Sequence, residues 1–445
     1  MTDTNGWSPM SLEEKAVRHH TARCLPSLPS GMPDVDVDRR LRRYHRSWDP
    51  RHLWPEVSES AFLSATRQIA DVTTVILTGS ESRPRLDPDR DITHALPIAA
   101  FASGMGPLLG YWIESGTPTA PSDVARSLAV QLDHGRQRAA RMRTELETVL
   151  GAFHQRGIQA TVLKGMHTGW AYFPEPGTPP MADIDLLVEP LAVPAAHDAL
   201  LNLGFTRGAC LRERTTWIPS GSRIPVSLEM THVDNPWDLD LHATLDRRMA
   251  ETVPVSLGSV GPDDLHTWSV GPETAWVLSQ PLLTAYLGVH VSSHFEATSL
   301  IRLVELALAI RRGVERRHLD WDALARRLRT TGSSAFAYPA LELTEKLVPG
   351  ILDSSLRALV RDDAPSAVRR LVDQSGPGTA RRLHRHSLDS RLMWLATWRQ
   401  RASWLWTRLW PHIGDEPMRP LEALRIQAER ARRMLTGRMR WRRPG

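Results

Sequence analysis

The stretch MADIDLLVEP, residues 181–190, sets two aspartates, Asp183 and Asp185, one residue apart inside an otherwise apolar run. The isoleucine, leucines and valine around them favour an extended strand. In a strand, residues i and i+2 share a face, so the two carboxylates project together. Side by side they repel, and burying them unpaired is costly. A divalent cation removes both difficulties. Magnesium suits the donors, because it prefers oxygen, takes one or two carboxylates and completes its shell with phosphate oxygens.

Two further stretches extend the pattern. In WDLDLHATL (237–245), Asp238, Asp240 and His242 share one face of a second expected strand. If that strand lies beside the first, Asp240 completes a three-acid cluster able to hold two metal ions roughly 3.5–4 Å apart. His242 then orients the carboxylate, touches phosphate, or simply packs. Upstream, VLKG ends a strand at Lys164 and Gly165. A glycine there permits close backbone approach to a phosphate, a following helix N-terminus offers amide donors, and Lys164 meets the phosphate as a point charge. Taken singly, each piece has an ordinary reading: solvated acids, a surface Asp240, a solvated lysine. The order strand–Gly, strand–DxD, strand–Asp joins them into one site.

Outward from this core the pattern is helical. Residues 1–60 are rich in Pro, Arg, His and Trp with weak periodicity and form a poorly defined segment. The 61–157 region holds two apolar helical stretches and a long amphipathic helix. Ser122 is its expected N-cap, and Val124, Leu128, Leu132, Met142, Leu146 and Leu150 form its apolar stripe. Arg136, Arg138, Arg141 and Arg143 read as its solvated side. The core over 158–250 reads β-α-β-α-β-β, with a helix at 191–204 ending at Gly204 and two or three strands between 211 and 245. From SVGPET (269–274) onward the pattern is helical, giving a helical domain at 270–380 and a basic helical tail at 381–445. The expected fold class is α+β: a small mixed sheet with flanking, mostly helical regions.

Composition narrows the function classes. Two cysteines, Cys24 and Cys210, lack metal-ligand spacing, which excludes a disulfide framework and a zinc site and suits a reducing cytoplasm. No signal peptide or transmembrane run is expected. The net charge of +5 hides an asymmetry, because residues 381–445 hold sixteen arginines against five acids. In that tail Trp394, Trp398, Trp404, Trp406 and Trp410 alternate with arginines. This suits an anionic membrane surface or single-stranded nucleic acid. The preferred reading is a terminal helix packing its tryptophans onto the body.

The segment ATVLKGMHTGWAYFPEPGTPPMADIDLLVEP resembles an uncharacterised nucleotidyltransferase family of bacteria within the DNA polymerase beta superfamily. The matching residues are Lys164, Gly165, Tyr172, Pro174, Asp183, Asp185, Gly204, Phe205, Asp240 and His242. His290, His294, Arg302 and Glu305 carry a weaker match through the following helices, and the whole resemblance spans roughly 125–345. It departs from the family pattern at Pro179 and Met166. The resemblance implies that Asp183 and Asp185 bind metal ions carrying a nucleoside triphosphate, and that Asp240 binds the catalytic metal and helps deprotonate an acceptor hydroxyl. Lys164, Gly165 and His242 are the expected nucleotide-side residues. The implied reaction joins a nucleoside monophosphate, AMP from ATP, to an unknown small molecule, peptide or protein, with a place in natural-product biosynthesis. The competing expectations are a catalytically degenerate binding protein of the same fold and a nucleic-acid modifier working through the basic tail. Spacing alone also allows His290 and His294 to bind metal, but no HExxH pattern accompanies them, and a structural or cleft role is expected.

Overall fold

The computed structural model describes residues 57–80, 84–86, 95–210, 214–220, 237–249, 253–293, 298–379, 392–395 and 397–409, with 412–413, 416–417, 424 and 428. Nearly all of segment 1–60, residues 221–236, His294, Trp410 and much of the tail lie outside the described residues.

The N-terminal region is helical as expected. It comprises α1 (Glu59–Thr78), α2 (Ala95–Ala102), α3 (Gly106–Glu114) and the long α4 (Ser122–His154). The whole apolar stripe of α4 is buried. Ser122 is not its cap, however. Pro121 holds the extended backbone before the first turn, Ser122 is already helical, and no side chain caps the end. The acidic Asp123 in the first turn places a negative charge near the helix's positive end. Nor is Arg138 on the solvated side. It is buried, donates from Nε to the Met181 carbonyl at 2.8 Å, and lies 5.4 Å from the Trp237 ring. Arg136 and Arg141 do face outward.

The sheet is larger than the sequence suggested. Its strands are β1 (Ala160–Val162), β2 (Asp183–Val188), β3 (Thr206–Cys210), β4 (Arg214–Ile218), β5 (Asp238–His242), β8 (Leu265–Val270) and β9 (Glu273–Leu278), in the order β3-β4-β5-β2-β1-β9-β8. A separate ribbon pairs β6 (Arg247–Met249) with β7 (Val253–Val255). The β2–β5 and β1–β9 pairs are parallel and the other neighbours antiparallel. Helix α5 (Met166–Ala171) follows β1, and α6 (Val193–Asn202) follows β2 and ends before Gly204 at φ +87°.

Five strands escaped the sequence reading: β3, the β6–β7 ribbon, β8 and β9. The sequence of β3, TRGAC, carries little apolar signal because an edge strand needs little burial. The β9 stretch ETAWVL, read from sequence as the start of a helix, is a strand: its apolar run is too short for period alone to separate the two.

The sheet's two faces differ in kind. Ile184, Leu186 and Val188 of β2 and Leu239 and Leu241 of β5 pack with Met142, Leu146 and Leu150 of α4 and Leu200 of α6. Their alternate neighbours look the other way, toward a helical body of α7 (Leu282–Ser293), α8 (Leu300–Glu315), α9 (Trp321–Thr330), α10 (Ser334–Leu347), α11 (Ser354–Asp363) and α12 (Ser366–Gln374). Leu163 and Leu187 join that second core. The acids therefore sit where the sheet meets the helical body.

In the tail, α13 (Trp398–Leu409) follows Trp394, which stacks on Phe336 at 5.3 Å between centroids. Trp394 and Trp404 pack inward as expected, whereas Trp398 and Trp406 remain exposed. Among the described residues no single helix is long and apolar enough to cross a membrane. Helices α2 and α3 meet that test only as a pair bent by 118°.

Candidate active site

Parallel pairing of β2 with β5 sets Asp183 opposite Asp238 and Asp185 opposite Asp240. Antiparallel pairing on the far side of β5 sets Thr216 opposite Asp240 and Arg214 opposite His242. Alternation then turns all these side chains to the face that looks at the helical body. Asp185, Asp240 and His242 each offer a ligand atom, and the three atoms lie within 4.8 Å of one another. The tightest group thus takes in His242 beside two of the three expected acids, with Asp183 just outside it. Asp183 stands at the mouth of the site, about a quarter exposed, against 1% for Asp185.

Lys164 is not a solvated lysine. Its side chain is 2% exposed, with Nζ 2.5 Å from Asp185 Oδ2 and 3.3 and 3.4 Å from the two oxygens of Asp183. Burial alone would pull the ammonium's pKa down, but the two carboxylates outweigh it and hold it above the ordinary lysine value. Asp185 is buried too. Burial works against its charge, yet Lys164 and His242, whose Nε2 lies 3.1 Å from Oδ1, hold it well below the carboxylate range. Asp185 is therefore a fixed anion. Its Oδ2 nevertheless makes no aligned hydrogen bond, since the ammonium approaches closely but off the hydrogen-bond line.

Asp240 differs. Burial first and the Asp185 charge second push its pKa up, against the opposing pull of Arg214 and Thr216. Thr216 Oγ1 donates to Asp240 Oδ1 at 2.7 Å, and the Arg214 guanidinium pairs with Oδ2. Asp238 is likewise raised by burial and by Asp240 and Asp183. One carboxylate is thus pinned as an anion beside another that resists ionisation. A divalent cation between them relieves that repulsion.

The donor set fits such an ion. Two carboxylates supply hard oxygens, one of them a buried oxygen lacking an aligned donor, and His242 lies beside both. Two cations now stand against this set, the Lys164 ammonium at Asp185 and the Arg214 guanidinium at Asp240. Gly165, next in the chain, has φ +57° and begins α5. A Cβ there would meet nothing nearer than the Asp183 carbonyl at 3.9 Å, so the backbone angle rather than space demands glycine.

Several neighbours were not singled out in the sequence. Arg214 and Thr216 lie in RTTWI, whose alternation with the buried Thr215 and Trp217 gives a faint signal. Tyr286 lies in the 282–294 helical stretch read for His290 and His294, and Arg247 comes from outside the stretches that drew attention. His290 stacks on Tyr286 at 6.1 Å, as expected of a structural or cleft residue.

A sequence-family model described as an uncharacterised nucleotidyltransferase matches residues 88–349, well over half the chain. The chain belongs to that family. The match runs from α2 to α10 and takes in the whole seven-stranded sheet of this nucleotidyltransferase, with every residue of the carboxylate site. Membership brings nucleotidyl transfer as the activity, and with it a nucleoside triphosphate substrate and a divalent metal. No curated relative and no solved structure matches the chain.

Proposed function

We propose that this nucleotidyltransferase belongs to the DNA polymerase beta superfamily and uses Mg²⁺ to move a nucleoside monophosphate, AMP from ATP, onto an acceptor hydroxyl. The acceptor is a small molecule, a peptide natural product or a protein in the bacterial cytoplasm. The single observation that carries the reading is the register of Asp185 against Asp240 across parallel strands, with His242 alongside.

Asp183, Asp185 and Asp240 are the residues to hold the metal, which when bound supplies neutralisation of phosphate charge. The chain's own groups do the rest. His242 fixes the orientation of Asp185 through its Nε2 contact. Lys164 and the Gly165 turn meet the phosphates. The acceptor oxygen forms a bond to the α-phosphorus, and the bond from that phosphorus to the bridging oxygen of the β-phosphate breaks. The electron pair leaves with pyrophosphate. Asp240, the carboxylate with the raised proton affinity, takes the hydroxyl proton.

One observation favours a second reading, a degenerate binding protein: Lys164 already neutralises Asp183 and Asp185. Incubation of cell extract with each labelled nucleoside triphosphate and Mg²⁺ separates the two. The catalytic reading expects label in an acceptor and pyrophosphate release that Asp185→Ala abolishes. Pyrophosphate release unchanged by that substitution defeats it.

A further inference from the structure

The helical body contributes a cation to this site that the carboxylate chemistry does not use. Arg302 lies in the first turn of α8, with its side chain four-fifths buried. Its Nη1 donates to Glu305 Oε2 at 2.9 Å. The other oxygen of the buried Glu305 accepts from Thr168 Oγ1 in α5, the helix that starts just after Gly165. The chain Arg302–Glu305–Thr168 therefore fixes the guanidinium beside the helix that follows the Lys164–Gly165 turn. The remaining guanidinium nitrogens of Arg302 make no hydrogen bond among the described residues. Glu305, together with Asp183 and Asp185, keeps Arg302 charged against its burial.

A second arginine comes from the β6–β7 ribbon. Arg247 of β6 donates to the Tyr286 hydroxyl at 2.7 Å and lies over the ring, while its buried Nε lacks a hydrogen-bond partner. Tyr286 in turn feels the charges of Asp185 and Lys164. Fixed guanidinium forks with unfilled donors match the paired oxygens of phosphates.

We propose that Arg302, set by Glu305 and Thr168 and seconded by Arg247, is the polyphosphate-gripping side of the site. It selects nucleoside triphosphates over monophosphates by holding the β- and γ-phosphates. This rests on the nucleotidyl-transfer reading above. Arg302 is the contacting residue, and Glu305 and Thr168 are positioning residues.

The test is equilibrium binding of ATP, AMP and inorganic tripolyphosphate, each with Mg²⁺, to the full chain by titration calorimetry. Arg302→Gln is expected to weaken ATP and tripolyphosphate by about 10- to 100-fold while leaving AMP within about twofold. Arg302→Lys should recover part of the loss. Because Arg302→Gln strands the Glu305 charge, the double variant Arg302→Gln/Glu305→Gln is measured beside it. It should regain the wild-type melting midpoint but not the tripolyphosphate affinity. Tripolyphosphate binding in a folded Arg302→Gln protein within twofold of wild type overturns the subsite alone. Equal weakening of AMP and ATP overturns it too. A wild-type chain that binds none of the three overturns both this subsite and the nucleotidyl-transfer reading.

Discussion

Asp185 and Asp240 face each other across the parallel β2–β5 pair, yet their charges are treated oppositely. Lys164 and His242 pin Asp185 as an anion, whereas burial and Asp185 itself disfavour ionisation of Asp240. The pair's two halves should therefore respond differently to the same substitution. Asp185→Asn removes the nearest partner of a buried ammonium and should cost about 3 kcal/mol of stability. Asp240→Asn relieves like-charge repulsion and can keep the Thr216 hydrogen bond, while Arg214 is exposed enough for its lost pair to be screened. It should stay within about 0.5 kcal/mol of wild type or gain stability. Both should abolish transfer. Chemical denaturation beside a pyrophosphate-release assay reads all four outcomes, and equal destabilisation by the two substitutions contradicts the asymmetry.

Lys164 is the ammonium that a metal ion would have to displace from Asp183 and Asp185. Lys164→Met should destabilise the metal-free chain by about 3 kcal/mol, since two carboxylates then lose their neutralising cation. Mg²⁺ should raise the variant's melting midpoint by more than it raises that of the wild type, because nothing competes for the acids. Melting curves in Mg²⁺ and in chelator decide this. No response to Mg²⁺ in either protein removes the metal site.

His167 gives the fold a specific acid sensitivity. It is buried in α5 among Tyr172, Trp268 and His266, and burial, with a smaller push from His266, lowers its pKa from 6.5 to about 3. Above pH 6.5 neither state binds the proton. Between 6.5 and 3 the unfolded chain takes it and the folded chain does not, so stability falls by about 1.4 kcal/mol per pH unit from this residue. Between pH 7.5 and pH 5 wild type should lose more stability than His167→Phe, each protein compared with itself. Parallel losses in the two proteins would refute it.

Arg138 secures the approaches to both acidic strands from the opposite face of the sheet. It holds the Met181 carbonyl just before β2 and covers Trp237 just before β5. Arg138→Ala should cost about 3 kcal/mol by leaving a cavity and a lost charge-assisted bond. The loss should appear as faster hydrogen exchange at residues 182–186 and 238–242. Unchanged protection there would show that the strands hold register without it.

The tail divides its tryptophans. Trp394→Ala removes a ring buried against Phe336 and should cost about 3 kcal/mol, whereas Trp398→Ala, at 74% exposure, should change stability by less than about 0.5 kcal/mol. A denaturant midpoint for each variant suffices, and comparable losses would place Trp398 in a packed contact.

The chain by itself determined the strand DIDLLV to the residue, the amphipathic α4, and a shared face for Asp183 with Asp185 and for Asp238, Asp240 and His242. Those features follow from local period, since alternation and helical spacing act over a few residues. Only the tertiary structure could decide that β5 lies parallel to β2 with Asp185 against Asp240. Strand order rests on contacts across 55 residues of chain that no local pattern encodes. The same holds for the buried Lys164 between two acids, for Arg138 turned inward from a run of arginines, and for Arg302 brought to the site by a helix far along the chain. A charged side chain is written identically in the sequence whether it faces water or a partner. Packing settles which, because a buried charge persists only where another element supplies its counterpart.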